Sequence, residues 1–139
     1  MRIRSAQGRV SVRVEYPSHS AAHFLIVDDE SSMREAISLC LEAGGYTSTG
    51  ASGGVEALAA IKGDRAIRGV ITDLHMPGFD GIELIKRVRQ SRPRLRIVVC
   101  SGHVSDGDRQ DLTDLGVPIL HKPFSLAQLL DRASQCLDP

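Results

Sequence analysis

The sequence predicts an α/β fold, a doubly wound five-stranded parallel sheet of order 2-1-3-4-5. Three observations lead there. From residue 23 onward, short apolar runs alternate five times with helical stretches, the pattern of a parallel sheet covered by helices on both faces. Right-handed crossovers follow from that connectivity. The second and fifth strand segments are the most polar and the most irregular, which suits the two edges in this strand order.

The elements follow in chain order. With 139 residues, one domain with one core is expected. Residues 1–22 read as an N-terminal extension or linker, with room for partial disorder, and 23–139 as the domain proper. The extension carries Arg2, Arg4, Arg9 and Arg13 against Glu15. Arg9–Tyr16 alternates Val10, Val12, Val14 and Tyr16 as a short strand would. Pro17 ends it, and 18–22 reads as linker. Phe24–Val27 is the first buried strand. Ser31 or Ser32 caps the first helix, which lines up Met33, Ile37, Cys40 and Leu41 and stops at Gly44-Gly45. Tyr46–Ala51 is a weak edge strand. Val55, Leu58, Ala59 and Ile61 mark the second helix. Val70-Ile71 is the third strand, and Ile82, Ile85 and Val88 mark the third helix. Ile97–Cys100 is the fourth strand. Val104–Leu115 is weakly helical and acidic, through Asp106, Asp108, Asp111 and Asp114. Val117–Leu120, with Pro118 inside it, is the last strand. Leu126, Leu129, Leu130, Ala133 and Leu137 form the clearest apolar stripe.

Composition excludes several classes. Lys plus Arg and Asp plus Glu number 17 each, so no net charge draws the chain to nucleic acid or to an anionic membrane. No apolar run approaches the ~18 residues of a span, and no secretory signal follows the N-terminal arginines. Cys40, Cys100 and Cys136 share no metal or redox spacing and read as core residues of a cytoplasmic protein.

Ligands of open parallel sheets bind beyond the carboxyl ends of the strands. There the chain places Asp28-Asp29, Asp73, Ser101 and His121-Lys122-Pro123, after the first, third, fourth and fifth runs. Two carboxylates ~4 Å apart repel by about 4 kcal/mol at an effective dielectric near 20. Lys122 offsets part of that, and a divalent cation would offset more. Oxygen ligands favour magnesium, calcium or manganese over zinc, and magnesium keeps room for phosphate oxygens. Such a set suits phosphoryl transfer to a carboxylate.

The segments Val27-Asp28-Asp29-Glu30, Asp73-Leu74-His75-Met76-Pro77-Gly78-Phe79-Asp80-Gly81, Ser101-Gly102-His103 and Lys122-Pro123-Phe124 closely resemble the receiver domain of two-component response regulators. The resemblance spans about residues 23–137 and implies a flavodoxin-like receiver fold. It implies that Asp73 is the phosphoacceptor, with Ser101 and Lys122 holding the phosphoryl oxygens. Mg2+, or Mn2+ in its place, would be held by Asp29, Asp28, Asp73 and the backbone carbonyl of His75. The Lys122–Pro123 bond would be cis. The phosphoryl donor would be a histidine kinase or a histidine phosphotransfer protein, and an unidentified downstream protein would read the result. No direct nucleic-acid or membrane contact is implied.

Ile119 departs from the family, which usually carries Tyr or Phe three residues before the lysine. His75 and His103 stand where family side chains border the phosphoryl group. They are read either as tuning its lifetime or as solvated loop histidines. His19, His23 and His121 read as ordinary surface or linker histidines. The chain ends without a basic DNA-reading helix, so a signalling domain acting by protein contact is expected, rather than an enzyme with an external substrate. A phosphate sink, or a receiver cut from a longer protein, is also compatible. A degenerate receiver that binds without phosphorylation is the alternative. An aspartyl-phosphate phosphohydrolase is a weaker one, because His75 stands where such enzymes carry a second carboxylate.

Overall fold

The computed structural model describes residues 2–4, 11–13 and 22–137. Two short strands, β1 (Arg2–Arg4) and β2 (Ser11–Arg13), pair antiparallel with Arg2 opposite Arg13. β2 falls inside the stretch Arg9–Tyr16 expected to be a strand. The rest of that stretch and residues 18–21 of the expected linker lie outside the described residues. Ala22 is buried, and its carbonyl accepts from the Thr47 N–H at 3.2 Å, so the packed unit includes it.

The main body runs β3 (His23–Val27), α1 (Ser31–Ala43), β4 (Thr47–Ala51), α2 (Gly54–Gly63), β5 (Ile67–Thr72), α3 (Gly81–Ser91), β6 (Arg96–Ser101), α4 (Asp106–Leu115), β7 (Ile119–His121) and α5 (Leu126–Leu137). The strands β3 to β7 form one parallel sheet in the order β4-β3-β5-β6-β7, the expected 2-1-3-4-5. Successive strand side chains point to opposite faces. Phe24, Ile26, Ile71 and Val98 therefore pack on one face with Ile37, Leu41, Leu129 and Ala133 of α1 and α5. Leu25, Val27, Val70 and Val99 pack on the other with Ala57, Ile61, Ile85 and Val88 of α2 and α3. The three central strands are buried on both faces, which explains their continuous apolar runs.

Several local expectations are corrected. Neither Ser31 nor Ser32 caps α1; Glu30 precedes it without a side-chain cap bond. In α2, Val55 is 75% exposed and Ala59 is also exposed, while Gly54, Ala57 and Ile61 face the core. The cause is Gly54, where a Cβ would lie 2.1 Å from the Phe79 ring, so this turn of helix is seated tightly against the loop before α3. α4 starts at Asp106 rather than Val104, because Ser105 and Asp108 form a reciprocal capping box. Gly116, at φ 70°, ends it in the left-handed region. Pro118 precedes β7 instead of lying within it; lacking an N–H, it contributes only a carbonyl, which accepts from the Val99 N–H at 3.0 Å. In α5, Leu126 is half exposed and Cys136 joins the buried face. Among the described residues no helix is long and apolar enough to cross a membrane.

Candidate functional site

The carboxyl ends of β3, β5, β6 and β7 meet at one rim. Asp28 directly follows β3. Its N–H donates to the Ala51 carbonyl at 3.1 Å, and its side chain is buried. Oδ1 accepts from the Glu30 N–H at 2.9 Å, and Oδ2 accepts from the Lys122 ammonium at 3.1 Å. Arg34 Nη1 donates to the Asp28 carbonyl at 2.6 Å, which fixes the turn. Asp73 follows β5, and its N–H donates to the Val27 carbonyl at 2.8 Å. That bond holds the ends of β3 and β5 in register. The Leu74 N–H donates to Asp73 Oδ1 at 2.7 Å, while Oδ2 lies 3.7 Å from Lys122 Nζ. Asp29 is exposed. One carboxylate oxygen from each of Asp28, Asp29 and Asp73 lies within 4.8 Å of the others.

Ser101 ends β6 and is buried. Its hydroxyl donates to the His103 carbonyl at 3.0 Å. Its own carbonyl accepts from the Lys122 N–H at 2.9 Å, which places the lysine beside the two carboxylates. The Lys122–Pro123 bond is cis. His75 is exposed, and its Nε2 lies 3.1 Å from the same His103 carbonyl and 3.7 Å from Asp108 Oδ2. Asp28, Asp29, Asp73, Ser101 and Lys122, singled out in the sequence at the four strand ends, therefore lie at this one rim.

The charges are unevenly compensated. Burial pushes the Asp73 carboxyl above the usual range; Lys122 and the amides of Leu74 and His75 oppose that, and the Asp28 charge reinforces it. Burial alone would pull the Lys122 ammonium down, but its bond to Asp28 and the charges of Asp73 and Asp28 outweigh it, and the net shift is upward. Three carboxylates face one ammonium. An oxygen-only donor set with excess negative charge fits a hard divalent cation.

The loop after Asp73 is held by glycine. A Cβ on Gly81 would lie 2.5 Å from the Asp73 carbonyl oxygen, so only glycine lets α3 start this close. The Gly81 N–H donates to the Leu74 carbonyl at 2.8 Å, and Asp80 caps α3 by accepting from the Glu83 N–H at 3.0 Å. Phe79 packs on Gly54, with the Arg87 guanidinium 4.8 Å from its ring centre. This clamp between the first turn of α2 and the loop before α3 went unread in the sequence; the pair Gly53-Gly54 at the start of α2 was its only signal. Ile119 is half-buried and packs with Val104 and Leu115 against the core.

Comparison with known proteins agrees with this fold. The model of the response regulator receiver domain family matches residues 24–134. Response regulator MprA of Mycobacterium ulcerans is 36% identical over 113 residues, covering 81% of this chain and 48% of that protein. Sensor kinase CckA of Brucella abortus is 34% identical over 85% of this chain and 13% of its own length. This chain thus spans half or less of the length of these curated relatives. Among solved structures, a response regulator receiver protein from Pseudomonas putida superposes with a TM-score of 0.79 at 35% identity, covering 83% of this chain and 97% of that one. The chemotaxis protein CheY4 of Vibrio cholerae gives 0.78 at 32% identity, covering 84% and 99%. A rim of three aspartates, a serine and a lysine on a 2-1-3-4-5 sheet, matched over residues 24–134, makes this chain a member of the response regulator receiver domain family.

Proposed function

We propose that the domain accepts a phosphoryl group on Asp73 from a phosphohistidine of a histidine kinase or a histidine phosphotransfer protein, and signals by protein–protein contact in the cytoplasm. The observation that carries this reading is Asp73 Oδ2, 3.7 Å from Lys122 Nζ and grouped with the carboxylates of Asp28 and Asp29. In the transfer, Asp73 Oδ2 bonds to phosphorus as the donor's P–N bond breaks, and the donor imidazole leaves with the electron pair and takes up a proton. Lys122 neutralises one phosphoryl oxygen. The Ser101 hydroxyl, now spent on the His103 carbonyl, is free to rotate and donate to another. Asp28, Asp29, Asp73 and the His75 carbonyl would hold Mg2+ (or Mn2+), which would supply charge neutralisation and orient the incoming group.

The domain then catalyses its own phosphorylation and dephosphorylation without acting on an external substrate. His75 and His103 approach through the bond between Nε2 and the His103 carbonyl, with ring centres 6.2 Å apart. Their side chains border the entry to Asp73 and limit how water reaches the acyl phosphate. A His75→Ala, His103→Ala double variant is expected to change the dephosphorylation rate several-fold; an unchanged rate would mean solvated loop histidines.

Incubation with acetyl phosphate tests the central step. Label that requires magnesium, resists acid, yields to base and disappears in Asp73→Asn is the expected result. Folded wild-type protein that takes no label would instead favour a binding module independent of phosphorylation.

A further inference from the structure

At the opposite end of the sheet, the turn between α3 and β6 reads Arg92-Pro93-Arg94-Leu95-Arg96. Arg68, near the start of the neighbouring β5, stands beside it. Together Arg68, Arg92, Arg94 and Arg96 line a cleft of about 440 Å³ whose remaining walls are Pro93, Leu95, Cys136 and Leu137. We propose that this cleft binds a small phosphate-bearing polyanion, at a site separate from Asp73.

Charge balance is the first argument. Among the described residues, none of these four arginines has a carboxylate within 4.0 Å. Arg89 adds a fifth cation nearby. Burial and the Arg96 charge both push its guanidinium down, which marks like charges crowded together. Helix dipoles do not resolve the excess. α3 and α5 end at this pole, and each contributes only about half a negative charge.

Geometry is the second argument. Arg92 Nη2 donates to the Ile67 carbonyl at 2.9 Å, so the guanidinium is fixed, yet Nη1 is buried with no hydrogen-bond partner. Arg68, Arg94 and Arg96 line the cleft with exposed guanidinium groups, and a guanidinium fork suits two phosphate oxygens at once. The cleft falls in the range of small-ligand sites, roughly 300–1,000 Å³. Among the described residues no aromatic side chain lines it, so they offer no platform for stacking bases. Recognition would run through phosphate charge, with any organic part resting on Leu95 and Leu137.

Amide chemical shifts of the metal-free full chain would be followed against sodium tripolyphosphate, ATP and, at matched ionic strength, sulfate. The Arg94 and Arg96 side chains are exposed and make no hydrogen bonds among the described residues, so Arg94→Gln with Arg96→Gln leaves the fold intact. The expected result is saturable shifts at residues 67–69 and 92–97 with a Kd below about 1 mM, weakened tenfold or more in the double variant. Equal response to tripolyphosphate and ATP would identify the phosphates as the whole determinant, and tighter ATP binding would add the apolar floor. Four results would overturn the proposal: shifts confined to 73–76 and 101–103, the same response to sulfate (an adventitious ion only), an unchanged double variant, or binding of duplex DNA or anionic vesicles where tripolyphosphate does not bind.

Discussion

The two ends of this sheet carry opposite charge, although the chain as a whole carries none. At the carboxyl end, Asp28, Asp29 and Asp73 face Lys122. At the amino end, Arg68, Arg92, Arg94 and Arg96 line a cleft to which no described residue contributes a carboxylate. They differ in how much water screens them. Asp28 is 1% exposed and Lys122 sits among buried groups, whereas Arg68, Arg94 and Arg96 are exposed. Charges at the rim act through a medium of low effective dielectric, and those at the pole act largely through solvent. Substitutions should therefore have large effects at the rim and small ones at the pole.

The largest effect comes from making the rim resemble the pole, with one sign of charge and no internal counterion. Lys122→Met does this. Loss of one preorganised charge-stabilising donor costs on the order of 10²–10³ in rate, so labelling by acetyl phosphate should fall by about that factor, while Mg2+ should bind more tightly because no ammonium competes for Asp28 and Asp73. Arg94→Gln with Arg96→Gln should leave the labelling rate within about twofold. A Lys122→Met protein that labels at the wild-type rate would show that the rim's charge balance does not govern the reaction.

A second effect sharpens the comparison sterically. The rim's spacing depends on Gly81, where a methyl group would meet the rigid Asp73 carbonyl at 2.5 Å. Gly81→Ala should destabilise the domain by about 2 kcal/mol, in the range of overpacking, and lower the labelling rate as well, because the acceptor's own backbone must move. Urea unfolding of the two proteins decides it. A loss under about 0.5 kcal/mol would mean that α3 shifts freely and that the loop is not held by this contact.

The rim was legible in the sequence because each chemical residue follows an apolar run directly or after one intervening residue, so a local pattern reports a long-range site. Asp28, Asp73, Ser101 and Lys122 all obey that rule. The strand order was legible for the same reason, since the polar β4 and the short β7 could only be edges. What escaped depends on contacts distant in sequence. The facing of α2 is set by Phe79 against Gly54, and no periodicity within α2 records a ring 25 residues away. The start of α4 escaped because its capping box closes with Asp108 rather than Glu or Gln. The arginine pole escaped because Arg68 lies well before Arg92–Arg96 in sequence; it joins them only because β5 and β6 are parallel neighbours.

The smallest effect tests how much of the rim's charge remains uncompensated without metal. Burial, with the Asp28 charge adding to it, raises the Asp73 carboxyl in the folded protein above its unfolded value. An acid whose folded value is raised binds its proton more tightly when folded. Protonation of Asp73 therefore stabilises the domain, and that stability is fully present below the ordinary carboxylate value and lost as pH rises through the raised one. At neutral pH the charged form is a liability that Lys122, at 3.7 Å, only partly offsets. Asp73→Asn removes the charge while keeping an oxygen for the Leu74 N–H. It should stabilise the metal-free domain by on the order of 1 kcal/mol at neutral pH, a rise of a few degrees in Tm. The advantage should shrink as pH falls and vanish below the carboxylate range. Saturating Mg2+ should reverse it, because the wild type then gains binding energy that the variant lacks. The matching change at the pole, Arg94→Gln with Arg96→Gln, should move stability by less than about 0.5 kcal/mol, as expected for solvated charges. Thermal unfolding in EDTA across pH, repeated with magnesium, measures all of this. A destabilised Asp73→Asn at neutral pH would mean that the ion pair with Lys122 and the hydrogen bond from Leu74 already balance the rim, and that the two ends differ in sign alone.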